Sequence, residues 1–331
     1  MKNTRVSLYP LLFAPVYKDY LWGGTKIRRL FERPDTPDPC AESWEISAHR
    51  DGPVIVRNGP LAGRSLPELV EAYGLALLGM RAPGRAFPLL IKVLDAREVL
   101  SVQVHPNNAN AAACGGEPKT EAWVVLQADE GAAVYAGLSE DTDRERFVAA
   151  ASTPSMADCM VRHDVTAGDT ILVPGGRVHA IDAGCLIYEV QQTSNTTYRV
   201  HDWGRTDAQG RSRELHLEQA LPVIDWEDRA SARMEPSLVD EGSWGRRDLL
   251  CESPFFRIER LSLSDPWLLL SDSGSFQAFF TARGAARLTG ATPAIDLPPG
   301  TSVLVPACCN CLTLSPVSEG VECLRVTLPH A

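Results

Sequence analysis

The chain of 331 residues carries 42 acidic and 32 basic side chains, giving a formal net charge of −10. Its length predicts two domains, and its charge argues against nucleic acid as a partner. The sequence has neither the residue order of a signal peptide nor an apolar run of roughly 18 residues, which predicts a cytoplasmic protein with no membrane partner. The nine cysteines are odd in number and lack Cys-x-x-Cys spacing, which predicts reduced thiols.

Short strands and turns are expected up to residue 60, and a helix is expected next. Ser65 is a good N-cap with a proline in the following turn, which predicts a helix over 65–80. The run Phe87–Leu94 is apolar and predicts a buried strand, interrupted by Lys92. Because an unpaired ammonium is costly to bury, Lys92 either reaches a sheet edge or meets an anion. We favour a place at a substrate site.

The next strand is predicted to have one polar face, because its polar side chains share a parity: Ser101, Gln103 and His105. Lys119 and Glu121 also share a parity, just before the apolar run 122–126. His, Gln and Glu side chains converging inside a β-barrel would form a nitrogen and oxygen donor set suited to a divalent metal such as zinc.

A further donor is predicted at His179. Gly168 is followed by five residues, Pro174, one residue, Gly176, two residues and His179. This spacing resembles the second sequence motif of the cupin family. There the glycines allow a tight turn between two strands, and the histidine points into the barrel.

The two strands that follow contain two more candidate side chains. Glu189, in the predicted strand 186–191, is either an inward acid or base near the metal or a charge that faces solvent. Arg199 carries planar donors suited to a phosphate or an enediolate. The alternative for Arg199 is a surface ion pair with Asp202.

The later part of the chain repeats one of these patterns. Gly300 to Pro306 has the same Gly, five residues, Pro spacing without the histidine, which predicts a second jelly roll that has lost the metal. The expected fold class is mainly β, with two cupin-like jelly-roll β-barrels and a few short helices. We predict a catalytic cupin domain with the metal site over 1–227, a linker over 228–245 and a degenerate jelly-roll domain without metal over 246–331.

In their order, these segments resemble the type I mannose-6-phosphate isomerases, the zinc-dependent phosphomannose isomerases, in their short bacterial form. The matching segments lie at 21–24, 41–47, 101–106, 119–123, 174–179 and 196–203. The resemblance implies one zinc ion per chain, held by Gln103, His105, Glu121 and His179. It also implies Arg199 as an active-site cation important for turnover, and a substrate site that includes Trp22, Glu42, Ser101 and Lys119.

The implied partner is a small sugar phosphate, and no oligomeric state is predicted. A dianionic substrate approaching a negatively charged protein needs a locally cationic pocket, for which the candidates are Lys92, Lys119, Arg199 and Arg205. One departure from the family concerns Pro118, which stands where longer members carry a histidine. A mechanism that relies on that histidine therefore does not transfer to this chain.

The expected activity is reversible isomerisation of mannose 6-phosphate and fructose 6-phosphate through an enediol(ate), with zinc as the Lewis acid. Three general bases stay open: Lys119, whose pKa a nearby zinc would depress, Glu189 and a zinc-bound water. One alternative function is a cupin Fe(II) oxygenase that uses His105, Glu121 and His179 as its triad. Another is a sugar-binding double cupin without activity.

Overall fold

The computed structural model describes residues 6–207, 209–291 and 293–330. Within these ranges the α-helices are short: α1 (Lys26–Leu30), α2 (Leu66–Tyr73), α3 (Leu75–Leu78), α4 (Arg144–Ala150) and α5 (Leu217–Ala220). Short 3₁₀-helices lie at Gly59–Leu61 and Pro154–Cys159. A helix that could cross a membrane is not found in the described part of the chain. The prediction of a mainly β chain with a few short helices is confirmed.

The strands run throughout the chain. Up to residue 234 they are β1 (Leu11–Ala14), β2 (Val16–Lys18), β3 (Glu42–Ser47), β4 (Ile55–Val56), β5 (Leu89–Ala96), β6 (Val102–Val104), β7 (Glu121–Ala128), β8 (Ala133–Leu138), β9 (Met160–Asp164), β10 (Thr170–Val173), β11 (His179–Ile181), β12 (Cys185–Gln192), β13 (Tyr198–His201) and β14 (Arg233–Met234). The later strands are β15 (Ser237–Gly242), β16 (Gly245–Glu252), β17 (Arg257–Leu263), β18 (Trp267–Leu269), β19 (Gln277–Arg283), β20 (Ala286–Thr289), β21 (Ile295–Leu297), β22 (Ser302–Val305), β23 (Leu312–Pro316) and β24 (Val321–Thr327).

Four antiparallel sheets stack into layers. In order through the stack they have five strands (β13-β6-β11-β8-β9), seven strands (β14-β10-β7-β12-β5-β3-β2), eight strands (β15-β16-β17-β24-β19-β22-β1-β4) and four strands (β18-β23-β20-β21). One apolar core lies between each neighbouring pair of sheets, and a further core covers the outer face of the five-stranded sheet. This arrangement gives two sheet sandwiches packed against each other.

Alternation along the strands decides which side chains reach the candidate site. On β12, Tyr188 and Val190 pack against the eight-stranded sheet, whereas Ile187 faces the five-stranded sheet. Because successive strand residues point to opposite faces, Glu189 also faces the five-stranded sheet. β5 and β7 obey the same rule, so Lys92 and Glu121 lie in the space between the seven-stranded and five-stranded sheets.

The helix predicted over 65–80 is confirmed and is divided in two. Ser65 caps α2 by accepting a hydrogen bond from the Glu68 backbone N–H, and the Glu68 carboxylate accepts one from the Ser65 backbone N–H. This reciprocal capping box gives hydrogen-bond acceptors to two backbone N–H groups that have no acceptor within the helix. Gly74 has a φ of 51°, which ends α2 before α3 begins.

The two halves of the chain are joined more closely than a simple linker would join them. The segment predicted as a linker contains β14, which pairs with β10 in the seven-stranded sheet, and β15, which pairs with β16 in the eight-stranded sheet. β1 comes from the start of the chain, yet it pairs with β22, with Leu11 opposite Leu304. The eight-stranded sheet therefore contains strands from both ends of the chain.

A buried ion pair also ties the halves together. Arg33 donates to both carboxylate oxygens of Glu45, at 2.7 and 3.0 Å, and to the Gly300 carbonyl oxygen. Ser302 on β22 donates to the same carboxylate at 2.9 Å. Glu45 is only 2% exposed, so its charge is compensated by these partners and by Ser43, which donates to it at 2.5 Å.

The repeated Gly, five residues, Pro pattern has the same geometry in both halves. Gly168 and Gly300 both have positive φ values, 96° and 77°. Each is followed two residues later by a four-residue strand, β10 or β22. The two turns therefore share the left-handed backbone that glycine permits at low cost.

Candidate metal centre and active site

Cross-strand register aligns three predicted site residues in one row on the five-stranded sheet. His179 on β11 lies directly opposite Gln103 on β6, and Gln103 lies opposite Arg199 on β13. Residues in such a row project to the same face of the sheet. Val102 and Val104 pack into the core on the other face, so the prediction of one polar face is confirmed.

The seven-stranded sheet lies opposite this face and forms the other wall of the site. Lys92 on β5 lies directly opposite Glu189 on β12. Glu121 opens the neighbouring strand β7. The carboxylate of Glu121 meets the imidazoles of the other wall, with one oxygen 3.3 Å from His179 Nε2 and the other 3.8 Å from His105 Nε2.

Both imidazoles are held in one tautomer by backbone carbonyls. His105 Nδ1 donates to the Thr196 carbonyl oxygen at 2.8 Å, and His179 Nδ1 donates to the Arg177 carbonyl oxygen at 2.8 Å. A carbonyl oxygen only accepts, so the proton of each neutral ring sits on Nδ1. The Nε2 lone pairs are therefore directed inward, as in histidines that bind metals.

The protonation states of the two histidines also suit a metal. Burial, with a contribution from the nearby Lys119 charge, lowers the pKa of His105 well below its usual value. Burial lowers the pKa of His179 to about 3. Both imidazoles are therefore neutral near pH 7, and a metal does not have to displace a proton from them.

The donor set fits a divalent cation. The ligand atoms of His105, Glu121 and His179 all lie within 4.8 Å of one another, and each residue is buried. Gln103 adds an amide that donates to His179 Nε2 at 3.2 Å. Two neutral imidazoles, a carboxylate and an amide oxygen form a set that a borderline metal accepts. The structure thus brings together all four residues predicted as ligands.

Two lysines and three carboxylates form a network beside these donors. Lys119 contacts the Glu121 carboxylate, lies 3.3 Å from Glu189 and donates to His105 Nε2 at 3.1 Å. Lys92 lies 3.5 Å from Glu42 and 3.9 Å from Glu189. Lys92 therefore meets anions rather than reaching a sheet edge, and Glu189 points inward rather than to solvent.

Neighbouring charges set the protonation of this network. Burial would lower the pKa of Lys119, but Glu121 and Glu189 outweigh it and hold the pKa above its usual value. Burial would raise the pKa of Glu189, but Lys119 and Lys92 lower it. Glu189 is therefore a carboxylate, and Lys119 an ammonium, near pH 7.

A cavity of about 360 Å³ opens onto this network. Every residue predicted for the substrate site or for catalysis lines it: Trp22, Glu42, Lys92, Ser101, Lys119, Glu189 and Arg199. Trp22 is brought there by a close approach of the chain at Gly23, where a Cβ would lie 2.6 Å from the Ala41 nitrogen. The floor of the cavity is buried, and its mouth includes the exposed residues Tyr20 and Asn195.

The arginines at the mouth differ from the expectation. Asp202 accepts hydrogen bonds from Arg205 at 2.6 Å and from Arg213 Nε at 2.8 Å, and so does not pair with Arg199. Arg205 does not line the cavity, whereas Arg213 does. The sequence offered no signal for Arg213, because the turn that carries it has no periodic pattern and matches none of the motifs.

The metal-free protein should lose stability below pH 6.5 because of these histidines. Their folded-state pKa values lie below the unfolded value of 6.5, so the unfolded chain binds more protons and stability falls as the pH decreases. Each histidine should account for a loss of about 2 kcal/mol between pH 6.5 and pH 5. Urea unfolding of metal-free protein at both values measures this loss. His179→Gln should reduce it, and an unchanged pH dependence in that variant would contradict the assignment.

Comparisons with known proteins agree with this geometry. Residues 11–141 match the family described as phosphomannose isomerase type I, catalytic domain. The mannose-6-phosphate isomerase of Streptococcus mutans is 38% identical over 273 residues, which cover 79% of this chain and 84% of that protein. The mannose-6-phosphate isomerase ManA of Bacillus subtilis is 40% identical over 218 residues, 65% of this chain and 68% of that one.

A solved structure extends the likeness to nearly the whole fold. The crystal structure of the mannose 6-phosphate isomerase from Bacillus subtilis superimposes with a TM-score of 0.86 at 28% identity, covering 96% of this chain and 99% of that one. This match confirms the fold class predicted from the sequence. The chain therefore belongs to the type I phosphomannose isomerases and is an enzyme of the isomerase class.

Proposed function

We propose that this enzyme interconverts mannose 6-phosphate and fructose 6-phosphate, with one zinc ion held by Gln103, His105, Glu121 and His179. The observation that carries the proposal is the buried donor set of two neutral imidazoles and a carboxylate beside a cavity lined with cations. A zinc ion bound there would supply Lewis-acid polarisation of the oxygens at C1 and C2. The relatives are named mannose-6-phosphate isomerases, which supports mannose 6-phosphate as one substrate.

The reaction moves a proton between C1 and C2 through an enediol(ate). We propose Glu189 as the group that accepts and returns this proton, because its carboxylate points into the cavity within 3.3 Å of Lys119. Lys119 is the second candidate, and its high pKa suits it better to stabilising negative charge on the substrate oxygens. We propose that Arg199 contributes to turnover by holding the anionic substrate in the cavity, which it lines.

The side chains proposed to bind the substrate have roles that follow from their places in the cavity. Glu42 holds Lys92 through an ion pair and accepts a hydrogen bond from the Trp44 indole at 2.6 Å. We propose that Lys92 and Ser101 bind sugar oxygens while Trp22 packs against the ring. We propose that the domain over 1–227 carries out catalysis and that the domain over 246–331 has a structural role. The segment 228–245 would connect the two domains. A cytoplasmic location stays a prediction.

The proposed activity predicts metal-dependent conversion of mannose 6-phosphate. Purified protein should form fructose 6-phosphate, lose this activity after chelation and recover it when zinc is added. Carbon-13 NMR of the sugar phosphates measures the conversion directly. In deuterated water the product should gain deuterium if the proton passes through a side chain.

An Fe(II) oxygenase would give the opposite pattern. Its activity would be restored by ferrous iron, because a two-histidine, one-carboxylate triad also suits that metal. It would consume oxygen when substrate is added. No conversion with zinc, together with oxygen uptake with iron, would overturn the isomerase proposal. Binding of the sugar phosphate without any conversion would favour a sugar-binding protein.

A further inference from the structure

We infer that Arg213, together with Arg199, binds the phosphate group of the substrate at the mouth of the cavity; this inference rests on the proposed function. The starting point is the distribution of charge along the cavity. On the floor, the two lysines are already paired with Glu42, Glu121 and Glu189. A phosphate on the floor would face three carboxylates at close range.

The mouth has the opposite balance. Two arginines, Arg199 and Arg213, line the cavity there. The hydrogen bonds of the nearby Asp202 carboxylate go to Arg213 and to Arg205, so Arg199 is left without a carboxylate partner within the described ranges. This local excess of positive charge would attract a phosphate monoester, which carries about one and a half to two negative charges at pH 7.

Arg213 is held in a position from which it can bind an anion. Its Nε and Nη2 both donate to the Asp202 carboxylate, which is buried. In the described part of the chain, Nη1 of Arg213 has no hydrogen-bond partner and stays available to a ligand oxygen. A guanidinium fixed by one carboxylate loses little conformational entropy when it binds a second anion.

Arg199 completes the subsite. Its Nη1 donates to the carbonyl oxygen of Glu214, the residue next to Arg213, at 2.8 Å, which turns its guanidinium toward the same segment. No carboxylate lies within ion-pair distance of Arg199 among the residues that the structure describes. Burial and then the neighbouring Arg213 charge lower the pKa of Arg199. The repulsion between these two cations would be relieved by an anion between them.

The shape of the substrate agrees with this placement. In a hexose 6-phosphate, the reacting carbons C1 and C2 lie at one end and the phosphate at the other. If C1 and C2 approach the buried donors at the floor, the phosphate points toward the mouth. Both arginines line the cavity and are partly buried, and the side chain of Arg213 is 34% accessible.

The test is the selectivity for a phosphorylated over an unphosphorylated sugar. Arg213→Met should lower the ratio of kcat/KM for mannose 6-phosphate to kcat/KM for mannose by about 10- to 100-fold, the effect expected from losing a charged hydrogen bond. Most of the change should appear as a higher KM for the phosphate ester. Arg213→Lys, which keeps the charge, should recover part of the ratio.

Arg211→Met is the matched control. Arg211 lies two residues away in the same turn, is exposed and pairs with Asp207, so its removal deletes one positive charge without touching the subsite. The ratio should stay at the wild-type value in this variant. A merely structural role of Arg213 would lower both kcat/KM values together, and an unchanged ratio in Arg213→Met would overturn the inference.

A binding measurement separates this inference from the proposed function. Inorganic phosphate should bind the wild-type protein in calorimetry, and Arg213→Met should weaken that binding by a similar factor. If the protein converts mannose 6-phosphate but the wild type and Arg213→Met bind phosphate equally, only the subsite is wrong. If the protein binds phosphate through Arg213 but converts no sugar, the subsite stands and the proposed function fails.

Discussion

His179→Ala should remove the metal and lower turnover of mannose 6-phosphate by about 1000-fold or more, equivalent to about 4 kcal/mol of transition-state stabilisation. His179 is fully buried, and its Nε2 faces Glu121 at 3.3 Å. Its loss leaves three of the four proposed donors and opens a gap at the end of β11. Metal content by mass spectrometry and kcat from the NMR assay, measured on the same preparation, test this prediction.

His163→Ala is the control for this experiment. His163 lies on β9 of the same sheet, is only partly buried and hydrogen-bonds to the Ala136 carbonyl oxygen at 3.2 Å. That variant should keep its metal and its turnover. Wild-type zinc content and normal turnover in His179→Ala would show that the proposed ligand set is wrong.

Glu45→Ala should lower the free energy of unfolding by about 3–5 kcal/mol, the usual effect of removing one partner from a buried ion pair. The substitution leaves the Arg33 guanidinium with carbonyl and hydroxyl partners only, and it also removes the acceptor of Ser302. The two packed sheets should separate more easily as a result. Urea unfolding followed by tryptophan fluorescence measures the change.

Arg162→Ala provides the comparison for that loss. Arg162 pairs with Asp164 on the surface, and their side chains are 42% and 80% exposed. Such pairs contribute at most about 1 kcal/mol, so this variant should unfold almost like the wild type. Equal losses of unfolding free energy in Glu45→Ala and Arg162→Ala would mean that Glu45 does not join the halves of the molecule.

The candidate metal site was predictable because its residues lie on strands or at strand ends. Parity in the sequence placed Gln103 and His105 on one face, and the spaced glycines placed His179 at the start of a strand. The mouth of the cavity was not predictable in this way. Asp202 is three residues from Arg199 in sequence and yet binds Arg205 and Arg213, because the backbone leaves the strand and turns between them.

The pairing of distant strands was also beyond the sequence pattern. The apolar run of β5 and the cap of α2 are local features, and both were predicted. The pairing of β1 with β22 depends on two short apolar segments that could pair with many others. Likewise, the local sequence gives no reason for the burial of Glu45, which depends in part on the approach of Ser302 from the other half.

The pairing of β1 with β22 has a consequence for synthesis of the protein. Leu11 leaves the ribosome almost three hundred residues before its partner Leu304, so the edge of this strand is exposed while most of the chain is translated. Exposed strand edges are templates for aggregation, and closing so long a loop slows folding. Truncated chains that stop before β22 should therefore need chaperones to remain dispersed, even when every residue of the proposed zinc site is present.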